Sequence, residues 1–258
     1  KLDLPLKMDI YGTYKNLLII SIAQEWLGFP VGSLLAVEIE DALKGNIVSN
    51  SIKMLFKPSE TSFLRNVSIG SDQILVNVLD NIKGKIIHFE KIGKTWFESN
   101  IKGFDEDMLS VAGSDNWSNR SFLESESFTQ PTGLYFSENS KEYKKIKSLP
   151  QKFDPTKYEV EQFFSESKDG TKIPYFQISR KDMIANSKNP TLLYGYGGFE
   201  ISLTPSYLSA FTTKWIDDGG VYVIANIRGG GEYGPKWHQS ALKANRQRAV
   251  SYTHLRAH

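Results

Sequence analysis

Between Leu34 and about Pro150, apolar residues come in short runs separated by Gly, Asn, Asp and Ser. Leu34 to Ile39 is one strand pattern. Gln73 to Leu79 is another, in which Ile74, Val76 and Val78 alternate with Leu75, Asn77 and Leu79. Lys85 to Glu90 and Thr95 to Ser99 follow, split by Ile92-Gly93-Lys94, and then Met108 to Ala112, Phe122 to Phe128 and Gly133 to Ser137. Short strands at regular spacing predict an all-β sandwich, barrel or propeller. No exact internal repeat is present, which degenerate propeller blades also lack.

The grammar changes after Ser148 to Tyr158, where Pro150 and Pro155 mark a linker over residues 151–157. Tyr158 to Ser165 and Thr171 to Ser179 form a predicted hairpin across Ser167-Lys168-Asp169-Gly170, because glycine accepts the positive φ of the turn. Thr191 to Tyr194 is a short strand running into the glycine loop Gly195-Tyr196-Gly197-Gly198-Phe199. Ser206 to Asp218 reads as a helix with Tyr207, Leu208, Phe211, Trp215 and Ile216 on one face and Gly219 as its stop. Val221 to Ile227, apolar except for Asn226, has the pattern of a strand buried on both faces of a parallel sheet. A second glycine loop, Arg228 to Gly234, precedes a helix predicted from Pro235 to Gln247. The order hairpin, strand, helix, strand, helix predicts an α/β domain.

Composition narrows the classes. Of 258 residues, 40% are hydrophobic and 23% charged, and 15 Phe, 12 Tyr and 5 Trp suffice for a large core, so disorder is excluded for most of the chain. Lys plus Arg (31) nearly balance Asp plus Glu (29), so no nucleic-acid partner is expected. The absence of cysteine removes disulfides, thiolate metal sites and a cysteine nucleophile. Leu17 to Ala23, the longest nearly apolar run, is too short to span a bilayer, and no membrane association is expected. The chain starts at Lys1 with no visible signal peptide, and a cytoplasmic location is the expectation.

Candidate chemistry starts with a negative. No glycine is followed two residues later by serine, so the G-x-S-x-G elbow of serine hydrolases is absent from these residues. Gly229, Gly231 and Gly234 match G-x-G-x-x-G between a strand and a helix, which keeps a nucleotide site open as an alternative. Against it, no Asp or Glu follows Glu232, although such a site expects an acidic residue about 20 positions on. Tyr196 follows a strand on a loop whose glycines let backbone approach a ligand, and its hydroxyl could donate to charge developing on a carbonyl oxygen. A tyrosine plugging a glycine turn is the bland alternative. His88 reads as a half-buried structural histidine and His238 as a helix-start hydrogen-bonding group. With His254 and His258 they show no metal-ligand spacing, and neither a metal nor a cofactor is expected. The N-x-S sequons at Asn66, Asn116 and Asn119 read as chance.

The segments Pro190 to Phe199 and Asn226 to Gly234, with Trp237-His238, resemble the prolyl oligopeptidase family of serine peptidases. Ser167 to Pro174 is similar to the hairpin that opens that family's peptidase domain, and Asn245-Arg246-Gln247 continues the match. The likeness is dense from about Tyr158 to Ala249 and thinner through Leu75 to Asn81 and Glu126 to Phe128. It implies a partial β-propeller over residues 1–150, followed by a partial α/β-hydrolase domain over 158–249, cut before the nucleophile elbow. It also implies cleavage of short peptides, commonly after proline, by a monomeric parent enzyme. Within the family, the Gly-Tyr-Gly-Gly-Phe form is closer to the proline-specific branch than to the dibasic-specific one. On this likeness Tyr196 matches an oxyanion-hole tyrosine, Phe199 an aromatic near the pocket for the residue before the cut, and Arg228 to Gly234 a mostly structural loop. The family's Ser, Asp and His have no counterpart here, so the chain by itself is expected to be inactive. Val250 to His258 departs from the pattern and lacks acidic residues, and is expected to be a non-native tail, such as a translated adapter or vector junction. The rival class is a non-catalytic binding protein with a degenerate hydrolase-like domain.

Overall fold

The computed structural model describes residues 4–104, 108–186 and 188–250; the expectation for 251–258 lies outside the described residues. Contacts divide the chain into two units, one of residues 1–125 and 133–148, the other of 126–132 and 149–258.

The first unit holds three four-stranded sheets, each ordered as in the sequence or its reverse. The first comprises β1 (Met8–Tyr14), β2 (Leu17–Ile22), β3 (Leu34–Glu38) and β4 (Lys53–Phe56), with α1 (Ile39–Lys44) after β3. The second comprises β5 (Ser62–Ile69), β6 (Gln73–Asp80), β7 (Lys83–Ile92) and β8 (Thr95–Asn100). The third comprises β9 (Met108–Ser114), β10 (Ser121–Glu126), β11 (Gly133–Ser137) and β12 (Lys144–Ser148).

The pleat explains the continuous apolar runs. Successive side chains of β2 point to opposite faces, so Leu17 and Ile19 join a core with Ile74, Val76 and Phe89, while Ile20 and Ile22 join Leu35, Val37 and Ala42 of α1. Both faces are covered, and each fully buried Ile or Leu contributes about 1.5–3 kcal/mol. In β6, Ile74, Val76 and Val78 face the first core, and Leu75 faces Ile86, Leu109 and Leu123. Asn77 is buried in the same strand because its Nδ2 donates to the carbonyls of Leu109 (3.0 Å) and Lys85 (3.1 Å). The β6–β7 hairpin turns on Asn81 and Ile82, both with positive φ, the geometry that matches strand twist.

The second unit has one mixed sheet: β13 (Tyr158–Glu166), β14 (Lys172–Arg180), β15 (Thr191–Gly195) and β16 (Val221–Ala225), in the order β13-β14-β16-β15. β13 and β14 form the expected hairpin, β14 pairs antiparallel with β16, and β15 and β16 are parallel. The crossover between the parallel strands carries α2 (Ala210–Asp217). That helix starts four residues later than Ser206. Tyr207 N donates to the Glu126 carboxylate and Leu208 N to Phe128 O, and Ser209 Oγ caps the Thr212 amide at 3.2 Å. The predicted helix Pro235–Gln247 is broken into α3 (Pro235–Gln239), a 3-10 turn at Lys243–Asn245 and α4 (Gln247–Val250). α3 ends at Gln239, where Ser240 Oγ bonds Trp237 O, and the extended Leu242 and left-handed Lys243 (φ 50) keep the helix from resuming directly. Residues 151–157, read as a linker, are packed: Phe153 stacks on Tyr207 at 4.8 Å and meets the Tyr158 ring edge-on at 5.2 Å. Among the described residues no helix is long and apolar enough to cross a membrane.

Candidate active-site loop

β15 ends at Gly195, and the chain then leaves regular structure until α2. Tyr196 is 40% exposed and Phe199 85% exposed. The backbone between and after them is left-handed at Gly197 (φ 60), Phe199 (φ 53) and Glu200 (φ 57). Two non-glycine residues in that region each store of order 1 kcal/mol of strain, which persists only where the surroundings enforce it. The Tyr196 ring lies over Gly198, where an added Cβ would sit 3.5 Å from the ring.

The surroundings are the second glycine loop. A Cβ on Gly197 would come within 2.5 Å of Ile227 Cγ1, one on Gly229 within 2.3 Å of Gly197 O, and one on Gly231 within 2.1 Å of Glu200 O. Backbone meets backbone across the two loops, and only glycine allows that approach. Carbonyl oxygens therefore occupy the space over Gly229 and Gly231 that a pyrophosphate would need in a dinucleotide site. α3, which follows this loop, has only five residues.

Side chains lock the arrangement. Arg246 Nη1 donates to Gly197 O at 2.6 Å. His238 Nδ1 lies 2.6 Å from Gly229 O and 3.2 Å from Glu200 N. One ring nitrogen cannot donate and accept at once, and the shorter contact takes the proton, so Nδ1–H donates to Gly229 O. Glu232, 0% exposed, accepts from Leu203 N at 2.9 Å, while Asn226 Nδ2 donates to Leu203 O at 2.7 Å. Burial pushes the Glu232 carboxyl above the usual carboxylate range. Among the described residues, its Oε2, Asn226 Oδ1 and Trp237 Nε1 are buried without a hydrogen-bond partner. Arg228, 4% exposed, binds Asp169 Oδ2 at 2.6 Å and Thr171 Oγ1 at 3.0 Å, tying the β13–β14 turn to the glycine loop. The Arg228 hydrogen bond holds the Asp169 carboxyl well below its ordinary range.

Tyr196, Phe199 and Arg228 thus fall on two interlocked loops and His238 on the short helix α3 that follows them, whereas His88 lies in β7 of the first unit. There its Nε2 meets Gln73 Oε1 at 3.2 Å. Among the described residues no group of three or more metal-ligating side chains is placed to hold an ion. Arg246, Asn226 and Glu232 were not singled out from sequence as members of this assembly. Their partners are 49, 23 and 29 residues away, and no local spacing announces such contacts.

A profile described as the prolyl oligopeptidase family matches residues 206–251. An uncharacterized peptidase of Sinorhizobium fredii is 35% identical over 253 residues, covering 96% of this chain and 35% of the relative. A prolyl endopeptidase of Elizabethkingia miricola is 34% identical over 190 residues, covering 73% of this chain and 26% of that protein. The solved structure of a post-proline cleaving enzyme from Rickettsia typhi superposes with a TM-score of 0.81 at 30% identity. It covers 97% of this chain and 37% of that one. These relatives are peptidases. The chain belongs to the prolyl oligopeptidase family, and it spans about a third of the length of the relatives it matches.

Proposed function

We propose that this chain forms part of a serine peptidase that cleaves short peptides after proline by acyl transfer. In this reading, residues 1–150 are consecutive blades of a β-propeller, 151–157 the connection, and 158–249 the first part of an α/β-hydrolase domain. Three successive four-stranded sheets and the β15–α2–β16 crossover support that assignment.

The observation that carries the reading is the position of Tyr196. It stands one residue beyond a parallel strand, on a loop held rigid by a second glycine loop. Its hydroxyl is the donor to the oxyanion of the tetrahedral intermediate, together with a backbone N–H that follows the nucleophile. Phe199 lines the pocket for the residue before the cut. A serine attacks the peptide carbonyl, a histidine carries its proton to the leaving amine, and an aspartate orients that histidine. Those three groups are contributed by sequence outside these 258 residues, where no G-x-S-x-G occurs.

The test has two arms. In the complete peptidase, Tyr196→Phe lowers kcat on a blocked Gly-Pro anilide by about a hundredfold with little change in KM, the size of effect expected for one lost oxyanion donor. Unchanged kcat removes Tyr196 from the mechanism. The 258-residue chain alone gives no turnover, and activity surviving further purification would contradict the assignment of the triad to sequence outside it. Faster cleavage after Arg-Arg or Lys-Arg than after proline would move the protein to the dibasic branch.

A further inference from the structure

The peptide that follows Tyr196 is boxed on two sides. On one side stand Ile227 and Arg228, whose side chain and carbonyl an added Gly197 Cβ would meet at 2.5 and 2.9 Å. On the other side the Gly197 carbonyl lies against the backbone of Gly229, and Arg246 Nη1 donates to it at 2.6 Å. Nη1 also lies 3.1 Å from where a Gly229 Cβ would sit, so carbonyl, guanidinium and bare glycine share one space. The Ile227 and Arg228 side of the box is built from residues contiguous with β16 and the glycine loop. Arg246 is different: it comes from beyond α3, 49 residues from its partner, and brings a full positive charge to one carbonyl oxygen. Charge-assisted bonds of this length are about twice as strong as neutral ones.

We propose that Arg246 is a positioning residue for Tyr196. It fixes the Gly197–Gly198 peptide plane, on which the Tyr196 ring rests, and so holds the hydroxyl where the oxyanion develops. This rests on the reading of Tyr196 as the oxyanion donor. Arg246 touches neither substrate nor reacting atoms, and its effect is on kcat through the tyrosine. Lysine keeps the charge but not the rigid planar reach, so it restores the function in part.

The test is a double-mutant cycle in the complete peptidase with a blocked Gly-Pro anilide, using Tyr196→Phe, Arg246→Met, Arg246→Lys and Tyr196→Phe with Arg246→Met. Arg246→Met is expected to lower kcat about tenfold with KM within about twofold and an unchanged melting temperature, a loss within the range that slight misplacement of a reacting group produces. Arg246→Lys recovers part of that loss. In the Tyr196→Phe background, Arg246→Met costs nothing further. If Arg246→Met leaves kcat intact while Tyr196→Phe lowers it, the proposal fails and the oxyanion reading stands. A tenfold loss that persists in the Tyr196→Phe background also overturns it, because Arg246 then acts on something else. Unchanged kcat in Tyr196→Phe alone removes the oxyanion reading, and the proposal with it. Should Arg246→Met fold poorly, Arg246→Lys carries the same cycle with a smaller effect.

Discussion

Each unit of the molecule buries a polar cluster, and the two clusters are finished to different degrees. In the first unit, Gln73 Nε2 donates to Ser140 Oγ at 2.7 Å and to Asn119 O at 3.0 Å, leaving Oε1 to accept from His88 Nε2–H at 3.2 Å. Ser140 Oγ donates to Asn119 O at 2.9 Å and bonds Ser121 Oγ, which meets Tyr143 OH at 2.7 Å. The chain of hydroxyls Tyr143, Ser121, Ser140 closes on a backbone carbonyl. In the second unit, Glu232 and Asn226 grip Leu203 but leave Oε2 and Oδ1 buried without donors among the described residues. The partnered cluster joins strands of neighbouring sheets. The incomplete one lies beside the strained loop that carries Tyr196 and Phe199. Unsatisfied polarity and left-handed non-glycine residues in one place mark a site whose geometry is held against local preference.

The largest effect expected is at the glycines that let the two loops meet. Gly231→Ala places a Cβ 2.1 Å from Glu200 O, and Gly229→Ala adds to a similar clash a φ of 101°. Each should cost about 3 kcal/mol or more, the sum of overpacking and backbone strain. Gly93→Ala in the first unit, with φ 59 and open space around it, should cost only about 1 kcal/mol. The comparison is read from urea midpoints at unchanged slope. Equal losses at Gly231 and Gly93 would mean that the loops are not wedged together.

Next in size is truncation of the finished cluster. Gln73→Leu leaves His88 Nε2, Asn119 O and Ser140 Oγ short of a partner and should destabilise by about 2 kcal/mol. Glu232→Gln, by contrast, keeps an oxygen for the Leu203 amide, removes a buried charge and supplies a donor where two acceptors lack one. At neutral pH it should be neutral or stabilising by about 1 kcal/mol. A loss at Glu232→Gln as large as that at Gln73→Leu would break the contrast between the clusters.

How much of this could be read from sequence follows the same division. β6 is legible because both of its faces are buried and its apolar run is broken inside only by the hydrogen-bonded Asn77, whereas β2, apolar apart from Ser21, reads in the sequence only as a run too short to span a bilayer. The β13–β14 turn is legible because Asp169-Gly170 has the chemistry of a hairpin. β1 and β5 were missed: each carries a register shift, between Ile10 and Gly12 and between Leu64 and Asn66, and a bulge breaks the two-residue alternation. β12 was missed because Lys144 to Ser148 is an edge strand exposed at every position, protected by lysines rather than marked by apolar residues. Tyr196 stands out by its place between a strand and glycines. Arg246, Glu232 and Asn226 join it through contacts that only the folded chain creates. The helix expected from Pro235 to Gln247 concealed that break, which sets α3 and the 3-10 turn that leads to Arg246 apart.

The smallest effect separates the clusters by sign. Burial disfavours charge in both, but one titratable group is a base and the other an acid. Desolvation, reinforced by Lys141 and opposed by Glu90, lowers the His88 pKa below the ordinary imidazole value of 6.5. The unfolded chain then binds the proton more readily, so the stability His88 contributes is present above pH 6.5. It is lost as pH falls through the depressed folded value. Desolvation raises the Glu232 pKa above 4.5, opposed by hydrogen bonds from Leu203 and Asn226. The folded chain then holds the proton more readily, so the stability tied to neutral Glu232 is present below pH 4.5. It falls as pH rises through the raised folded value. His88→Gln should therefore flatten a rise of stability with pH that ends near 6.5, and Glu232→Gln should flatten a fall that starts near 4.5. Urea midpoints measured from pH 4 to 8 for the parent and the two variants separate these slopes. The same sign in both difference curves would mean that burial is not what governs one of the two groups.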